Sequence, residues 1–275
     1  MASPTASPGA RLAGLLPSGG RAPRPSVSRS LPTLCLGGAW QMAIDAGLLL
    51  DACMAGSAAR PVLRFYRWSR PTLSLGRHQQ QLPTLWCELA ATGALDLVRR
   101  PSGGGAVLHA GTLTYAVVWP QPPPRRQAYG VICSWLQAAF AALGQPLHFG
   151  AESARTRPAS CFASGTAADL LHADGNKRIG SAQFWRGGVV LQHGTILLDP
   201  PAALWQQLFG AAPPPLAPLP LAGEALEKHL RVVACRQLPA LAGAPLQERP
   251  PTAAEWARWG ASLGCYRLEP ERSGC

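Results

Sequence analysis

Two short stretches of the chain combine residue types that could do chemistry. The first, GNKRIGSAQFW (175–185), contains Lys177, one of only two lysines among 25 basic residues. A lysine ammonium is a compact charge with three rotatable donors, whereas arginine presents a rigid planar fork. Lys177 therefore suits a site in which charge develops on a moving oxygen atom. The alternative, which the pattern alone favours, is a solvated lysine on a strand.

The second stretch, RRPSGGGAVLHAGTLTY (99–115), contains three consecutive glycines. Consecutive glycines cost backbone entropy, and they need a reason. Without side chains, their N–H groups can approach an anion or a carbonyl oxygen closely. The stretch lacks the GxxxxGK[ST] pattern of a P-loop. A plain β-turn is the alternative interpretation.

Cysteine chemistry is a third possibility, because the chain contains eight cysteines. They form no CxxC pair, so the spacing predicts no metal site and mostly free thiols in a reducing cytosol. Cys161 lies in a polar, basic stretch with Arg155 and Arg157, and positive surroundings lower a thiol's pKa and make it reactive. The alternative, a small buried hydrophobe, is adopted for six others: Cys35, Cys53, Cys87, Cys133, Cys235 and Cys265.

The elements around these stretches predict an α+β fold with a largely antiparallel sheet. Apolar residues recur at helical spacing, and runs rich in β-branched and aromatic residues predict strands. WRGG between two such runs predicts a hairpin. The predicted helices cover 40–48, 84–91 and 132–143, and the predicted strands cover 61–69, 71–76, 95–100, 113–119, 177–184 and 189–198.

Composition divides the chain into four parts. Residues 1–30 contain no acidic residue and are rich in arginine and serine, which predicts a disordered or targeting tail. A catalytic domain is expected over 31–210, and a Pro-rich linker over 211–223. Residues 224–275 are predicted to form a small helical C-terminal extension, with a capping box at Thr252 and Glu255.

The net charge is +11 and the sequence pI about 9.9, which favours acidic partners. The basic residues are scattered, and no nucleic-acid-binding signature is present, so no nucleic-acid partner is expected. No apolar run approaches the roughly 20 residues that a membrane span needs, so no membrane partner is expected.

The two glycine-containing stretches resemble two signatures of the biotin/lipoate A/B protein ligase superfamily. RRPSGGGAVLHAGTLTY resembles the first signature, and GNKRIGSAQ…VVLQHGTILLD resembles the second. WQMAIDAGLL and RPTLSLGRHQ also match, in the expected order, so the resemblance covers roughly residues 38–200. It implies a class II aminoacyl-tRNA synthetase/biotin synthetase-like catalytic domain, with a mixed, largely antiparallel sheet flanked by helices. The arginine- and glycine-rich loop of biotin ligases is absent, which favours the lipoate branch.

Within that branch, SCFASGTAADLLHADGNKRIGSAQ resembles the cysteine-dependent octanoyltransferases of the ligase-like group. The resemblance implies that Cys161 takes an octanoyl group from acyl carrier protein as a thioester, with no cofactor. A lysine of a lipoyl-domain E2 subunit or of glycine-cleavage H protein then accepts it. Lys177 would stabilise charge on the thioester oxygen or help to activate the nucleophile.

Three alternatives remain on the same scaffold. An ATP-dependent lipoate-protein ligase would need ATP and magnesium but not Cys161. A lipoyl-carrier amidotransferase would accept an octanoylated protein as its donor. A non-enzymatic binder of acyl carrier would show no turnover. The expected location is the cytoplasm, or an organelle if residues 1–30 are a transit peptide.

The resemblance also implies that both signatures contact the substrate. The backbone of Gly103–Gly105 would line the acyl pocket and donate to the oxyanion, and His109 and His193 are expected to be hydrogen-bonding pocket histidines rather than bases. The full set of implied substrate-binding residues is Arg100, Ser102, Gly103, Gly104, Gly105, His109, Gly180, Ser181, Ala182, Gln183, His193 and Gly194.

Overall fold

A computed structural model describes residues 27–150, 168–238, 240–241 and 245–268. Its strands and helices confirm the predicted α+β class with a largely antiparallel sheet. The strands are β1 (Ser28–Ser30), β2 (Leu34–Leu36), β3 (Val62–Trp68), β4 (Thr72–Leu75), β5 (Asp96–Arg99), β6 (Val107–His109), β7 (Thr112–Pro120), β8 (His148–Phe149), β9 (Leu170–Leu171), β10 (Lys177–Arg186), β11 (Val189–Leu197) and β12 (Leu246–Glu248). The helices are α1 (Gly38–Ala55), α2 (Thr84–Ala91), α3 (Arg125–Ala142), α4 (Ala202–Phe209), α5 (Gly223–Gln237) and α6 (Ala253–Gly260).

The main sheet runs in the order β12-β1-β3-β7-β11-β10-β9-β8, and β2 pairs with β3. Its centre is antiparallel, because β3 pairs with β7, β7 with β11, and β11 with β10 in the predicted hairpin. In this register His193 lies opposite Ala116 on one side and Ala182 on the other. Among the described residues of this sheet, the parallel pairs are β1 with β12, β1 with β3, and β2 with β3.

Alternate residues of the central strands face two different helical layers, as the period of two in a strand requires. Tyr66, Ala116 and Leu191 face α1, whose apolar residues and Trp259 of α6 complete that core. Phe65, Val117 and Val190 are among those facing the other way, into a core formed with α3 and α5. The central strands are therefore covered on both faces.

A smaller sheet in the order β5-β4-β6 positions the glycine-rich loop, which connects β5 to β6. The loop lies against the end of β4. A Cβ added to Gly76 would lie 2.0 Å from the carbonyl oxygen of Gly104, so this close approach requires glycine. The backbone of Gly104 is thus packed directly against Gly76.

Residues 223–268 contact several elements of the rest of the fold. Helix α5 packs against α3, and α6 packs against α1. Strand β12 pairs with β1, so the main sheet begins at Ser28 rather than near Leu31 as predicted. The predicted capping box is confirmed, with Thr252 accepting from the Glu255 amide. The helix predicted over 84–91 is confirmed as α2, with Pro83 at its N-cap position and no side-chain cap.

None of the helices in the described residues is long and apolar enough to cross a membrane. The predicted tail lies outside the described residues up to position 26.

Candidate active site

A pocket that encloses about 370 Å³, including open solvent, lies between α1, the centre of the main sheet and the small sheet. Small residues of the β10–β11 hairpin make room for it, and polar groups converge on it from six strands. A concave site with a few convergent polar groups is the usual form of a ligand pocket. The lining residues are Met42, Tyr66, Ser74, Arg100, Val107, His109, Thr114, Gly180, Ser181, Ala182, His193, Gly194 and Thr195.

A buried hydrogen-bond chain joins α1, β11 and the glycine-rich loop. The Asp45 carboxylate oxygen Oδ2 lies 2.8 Å from His193 Nδ1, and His193 Nε2 lies 2.6 Å from Ser102 Oγ. A carboxylate can only accept, so Nδ1 carries a hydrogen, and Nε2 pairs with the Ser102 hydroxyl. This is the hydrogen-bond order that holds an imidazole as a base in serine hydrolases. It also fixes the start of the glycine-rich loop, because Ser102 directly precedes Gly103.

Asp45 has two further partners on β3. The Tyr66 hydroxyl donates to Asp45 Oδ2 over 2.9 Å, and Arg64 Nε lies 3.6 Å from Asp45 Oδ1 in a buried ion pair. Arg64 also donates to the side chain of Gln41. Burial, and then the Asp45 charge, raise the pKa of Tyr66 well above its usual range. The tyrosine is therefore a hydrogen-bond donor at every working pH.

His109 is held as a neutral ring beside this chain. Its Nε2 lies 2.8 Å from Ser74 Oγ and its Nδ1 lies 3.3 Å from Thr195 Oγ1. The ring stacks on Trp68 at a centroid distance of 3.8 Å. Burial, followed by the charge of Arg100, lowers the pKa of His109 well below its usual range. The ring can therefore exchange hydrogen bonds but adds no charge to the pocket.

Arg100 organises the glycine-rich loop from inside. Its guanidinium donates to the carbonyl oxygens of Gly103 at 2.6 Å and Gly105 at 2.8 Å, and to that of Ser74 at 2.8 Å. Because the carbonyl oxygens of Gly103 and Gly105 point toward this cation, the backbone N–H groups of the loop can donate to another acceptor. In the described part of the chain, the amides of Gly103, Gly104 and Gly105 donate no hydrogen bond.

Lys177 is buried rather than solvated. Its side chain is 2% exposed, and its Nζ lies 2.9 Å from Asp169 Oδ2, whose side chain is 3% exposed. A buried ammonium needs a paired and hydrogen-bonded environment. The structure therefore excludes the solvated-lysine alternative. Lys177 begins β10, the strand that contributes Gly180 and Ala182 to the pocket.

The opposite face of the same hairpin carries a neutral hydrogen-bond network. The Tyr115 hydroxyl lies 2.9 Å from Ser181 Oγ and accepts from Gln192 Nε2 at 2.8 Å. Gln183 Nε2 donates to Gln192 Oε1 over 2.7 Å. Cys133 of α3 completes the group, and burial raises its pKa to about 11. This thiol is unreactive, as predicted for a structural cysteine.

The structure brings seven of the predicted substrate-binding residues to the pocket wall: Arg100, His109, Gly180, Ser181, Ala182, His193 and Gly194. Ser102 reaches the pocket through His193, and the loop of Gly103, Gly104 and Gly105 lies beside it, held by Arg100. Gln183 does not line the pocket, because its side chain belongs to the network on the opposite face.

Cys161, the predicted nucleophile, lies outside the described residues, as do its neighbours Arg155 and Arg157. Cys87, predicted to be a free buried thiol, is buried but disulfide-bonded. Among the described residues, no group of three or more His, Cys, Asp or Glu side chains could hold a metal ion.

Sequence reasoning missed Asp45, Tyr66, Ser74 and Asp169 as members of the site. Asp45 had a usable signal, because it is an acid in the middle of the apolar stripe of α1. A fully buried carboxylate on such a stripe implies a cationic or donor partner. Asp169 had no signal, because only the fold brings it to Lys177.

These features define a protein of the lipoate ligase type, and comparison with known proteins gives the same result. The family model described as the lipoyl protein ligase A/B catalytic domain matches residues 38–213. The chain belongs to this family, as its motifs indicated.

The similar curated proteins include two bacterial octanoyltransferases named LipM. That of Moorella thermoacetica is 39% identical over 166 residues, covering 57% of this chain and 60% of the relative. That of Geobacillus kaustophilus is 37% identical over 184 residues, covering 62% and 65%. The chain therefore spans less than two thirds of the length of the curated relatives it matches.

Solved structures confirm the predicted class II synthetase-like fold. A putative lipoate protein ligase from Thermoplasma acidophilum with bound lipoic acid aligns with a TM-score of 0.72 at 18% identity, over 86% of this chain and 95% of its own. A lipoate-protein ligase A bound with ATP aligns with a TM-score of 0.70, also at 18% identity, over 86% and 94%.

Proposed function

We propose that the protein is an octanoyltransferase that works through a thioester on Cys161. The observation that carries the proposal is the likeness to LipM octanoyltransferases, at 39% identity for the Moorella relative. The donor is octanoyl-acyl carrier protein, and the acceptor is a lysine of a lipoyl-domain E2 subunit or of glycine-cleavage H protein. Both partners are acidic as a class, which agrees with a net charge of +11.

The reaction has two acyl-transfer steps. In the first, the Cys161 thiolate attacks the octanoyl carbonyl, the bond to the carrier's sulfur breaks, and the carrier thiolate leaves and takes up a proton. In the second, the neutral ε-amine of the acceptor lysine attacks the acyl-enzyme. An amide forms, the amine loses a proton, and the Cys161 thiolate is restored. Thioester exchange is nearly balanced in energy, so the cycle needs no ATP.

Each step passes through a tetrahedral intermediate that carries negative charge on the former carbonyl oxygen. Two groups of this chain could stabilise that charge. The buried ammonium of Lys177 is one, and the amides of Gly103–Gly105 are the other, since Arg100 holds the carbonyls of Gly103 and Gly105 away. Donors fixed before the reaction supply much of an enzyme's rate enhancement.

An ATP-dependent lipoate ligase is the second candidate, favoured by the structural likeness to a ligase bound with ATP. A lipoyl-carrier amidotransferase would share the Cys161 step but take its octanoyl group from a protein amide. The proposed location is the cytoplasm, in keeping with the bacterial relatives.

The test is intact mass spectrometry of the purified protein mixed with octanoyl-acyl carrier protein, without ATP. We expect an octanoyl adduct that hydroxylamine removes, present in the wild type and absent from Cys161→Ala. The matched control is Cys133→Ala, which alters a buried thiol whose pKa burial raises to about 11. It should keep the adduct.

Two outcomes would contradict the proposal. An adduct on Cys161→Ala would place the acyl group elsewhere. An absence of adduct from the wild type, with lipoyl transfer in the presence of lipoate, ATP and magnesium, would assign the ligase activity instead. Lys177→Arg should slow acylation about 100-fold or more, the scale of losing one preorganised donor to an oxyanion.

A further inference from the structure

A second cavity opens onto the surface next to the pocket, and it is strongly cationic. This groove encloses about 660 Å³, including open solvent. Four of its lining residues are arginines and none is acidic. The full lining is Ala46, Leu49, Leu50, Arg77, Arg99, Arg100, Pro101, Phe184, Arg186, Cys265 and Tyr266.

The groove continues the pocket along two elements. On α1, Met42 lines the pocket, and Ala46 and Leu49 line the groove, at the i, i+4, i+7 spacing of one helix face. On β10, Ala182 lines the pocket, whereas Phe184 and Arg186 line the groove. Alternate strand residues share a face, and four residues span about 13 Å. Arg100 lines both cavities, so the two form one path from the buried site to the surface.

The four arginines have different roles in this path. Arg99 donates to the carbonyl oxygens of Gly76 at 3.0 Å and Gln79 at 2.7 Å, and Arg100 is committed to the glycine-rich loop. These two are held in place. Arg77 and Arg186, at the outer end, are exposed, and no described acidic side chain forms an ion pair with either of them. Arg77 lies over the ring of Phe184 at 5.3 Å.

Exposed guanidinium groups beside apolar walls select a particular ligand chemistry. The planar fork of arginine matches the oxygens of a phosphate. The walls of Leu49, Phe184 and Tyr266 suit a partly apolar chain that carries the phosphate at one end. A long arm with a phosphate ester at its outer end and a thioester at its inner end fits both the order and the charge of the path.

We propose that this groove binds the phosphopantetheine arm of the acyl carrier, with Arg77 and Arg186 contacting its phosphate ester. The inference rests on the proposed octanoyltransferase function. The inference adds that the enzyme recognises the acyl donor through the phosphate of its phosphopantetheine arm as well as through the protein surface of the carrier.

The test compares two small donors that differ only in the phosphate, octanoyl-pantetheine and octanoyl-4′-phosphopantetheine. The rate of acyl-enzyme formation gives kcat/KM for each. The wild type should prefer the phosphorylated donor at least about tenfold, the scale of one hydrogen bond to a charged group. In Arg77→Ala and Arg186→Ala the preference should fall, and in the double variant it should approach one. Arg236→Ala, an exposed arginine on α5, is the matched control and should keep the wild-type preference.

A binding measurement separates this inference from the proposed function. Calorimetry with 4′-phosphopantetheine and with pantetheine, neither acylated, requires no turnover. Tighter binding of the phosphorylated arm that depends on Arg77 and Arg186 supports the groove even if no octanoyl group is transferred. Equal binding of the two, or a preference that survives in the double variant, overturns it. The last measurement is competition with ATP. If ATP binds more tightly than 4′-phosphopantetheine and its binding is lost in the same variants, the groove is a nucleotide site.

Discussion

The two faces of the β10–β11 hairpin carry polar groups of opposite character. On the face toward α1, Asp45, His193 and Arg64 form a buried network containing full charges. On the face toward α3, Tyr115 and Gln192 belong to a network with no ionised member. The strands are the same and residues alternate between the faces, so the difference comes from the helix that each face meets.

The two networks differ in the free-energy cost of burying their polar groups. Burying a charge is expensive unless it is paired, and removing one partner leaves the other uncompensated. A neutral network is less costly to bury and less costly to lose. The charged network borders the pocket and fixes the glycine-rich loop, whereas the neutral network joins the sheet to α3. Of these two networks, the charged one is the one that borders the pocket, and a further buried ion pair, Lys177–Asp169, lies at the start of β10.

The largest effect should come from removing the charge at the centre of the α1 face. Asp45→Asn leaves Arg64 buried without a counter-ion and replaces one carboxylate oxygen with an amide donor, which then faces either Arg64 or the N–H of His193 Nδ1. We expect a loss of about 3 kcal/mol or more in the free energy of unfolding, the scale of a broken buried pair. Urea unfolding measures it. Octanoyl transfer should fall as well, because Ser102 loses its fixed partner.

The control lies on the same helix. Asp51→Asn breaks an exposed pair with Arg258, at 3.1 Å, which should contribute about 0–1 kcal/mol. If the two variants were equally stable, the α1 face would not depend on its charges, and the comparison of the faces would fail.

The second-largest effect should come from Gly194, which lies where the two faces of the hairpin meet. A Cβ added to Gly194 would lie 2.4 Å from the Tyr115 ring and 2.8 Å from Ser181 Oγ. We expect Gly194→Ala to lose about 1–3 kcal/mol by overpacking and to shift the backbone of a strand that lines the pocket. Thermal unfolding together with the acylation rate tests both effects. Gly130→Ala in α3 meets nothing within 4 Å, so it should be neutral or stabilising.

Two tyrosines allow a direct comparison of the networks. Tyr66→Phe removes a hydrogen bond to the Asp45 carboxylate, which should cost about 1.5–3 kcal/mol. Tyr115→Phe removes hydrogen bonds to neutral groups, which should cost about 0.5–1.5 kcal/mol. Denaturant unfolding of the two variants in parallel gives the ratio. A larger loss for Tyr115→Phe would reverse the assignment of charge to the α1 face.

The smallest effect should appear as a pH dependence. Burial and Arg100 lower the folded-state pKa of His109, so the unfolded chain binds its proton first as the pH falls. This contribution to stability is full above the unfolded pKa of about 6.5 and is lost below it, at up to about 1.4 kcal/mol per pH unit. Between pH 7.5 and 5.5, the wild type should lose about 1 kcal/mol more than His109→Gln. Equal losses would mean that His109 accepts a proton without cost.

Much of the fold could be predicted because local patterns matched the final elements. The strand predicted over 113–119 lies in β7, and WRGG forms the turn of the β10–β11 hairpin. Helix α3 begins at Arg125, seven residues before the first apolar position that the pattern marked, because its first two turns present few apolar side chains.

The site was predictable only in part, for a physical reason. The glycine-rich loop and Lys177 could be singled out because glycine triplets and a rare lysine are visible in a single sequence. The partners that set their chemistry come from distant positions, as Asp45 does for His193, 148 residues away. The burial of Lys177 also depends on the fold, since a strand lysine is solvated unless another element covers it.

The pairing of β1 with β12 ties the two ends of the described chain together. Arg29 forms an ion pair with Glu255, and Ser28–Ser30 extend the sheet beside both β12 and β3. A truncation that removes Ser28–Ser30 would therefore take a strand out of the main sheet. A shortened chain that starts at Leu31 would expose the edges of β3 and β12 and become prone to edge-to-edge aggregation. The first strand of the described fold is thus held in place by residues more than 200 positions later in the chain.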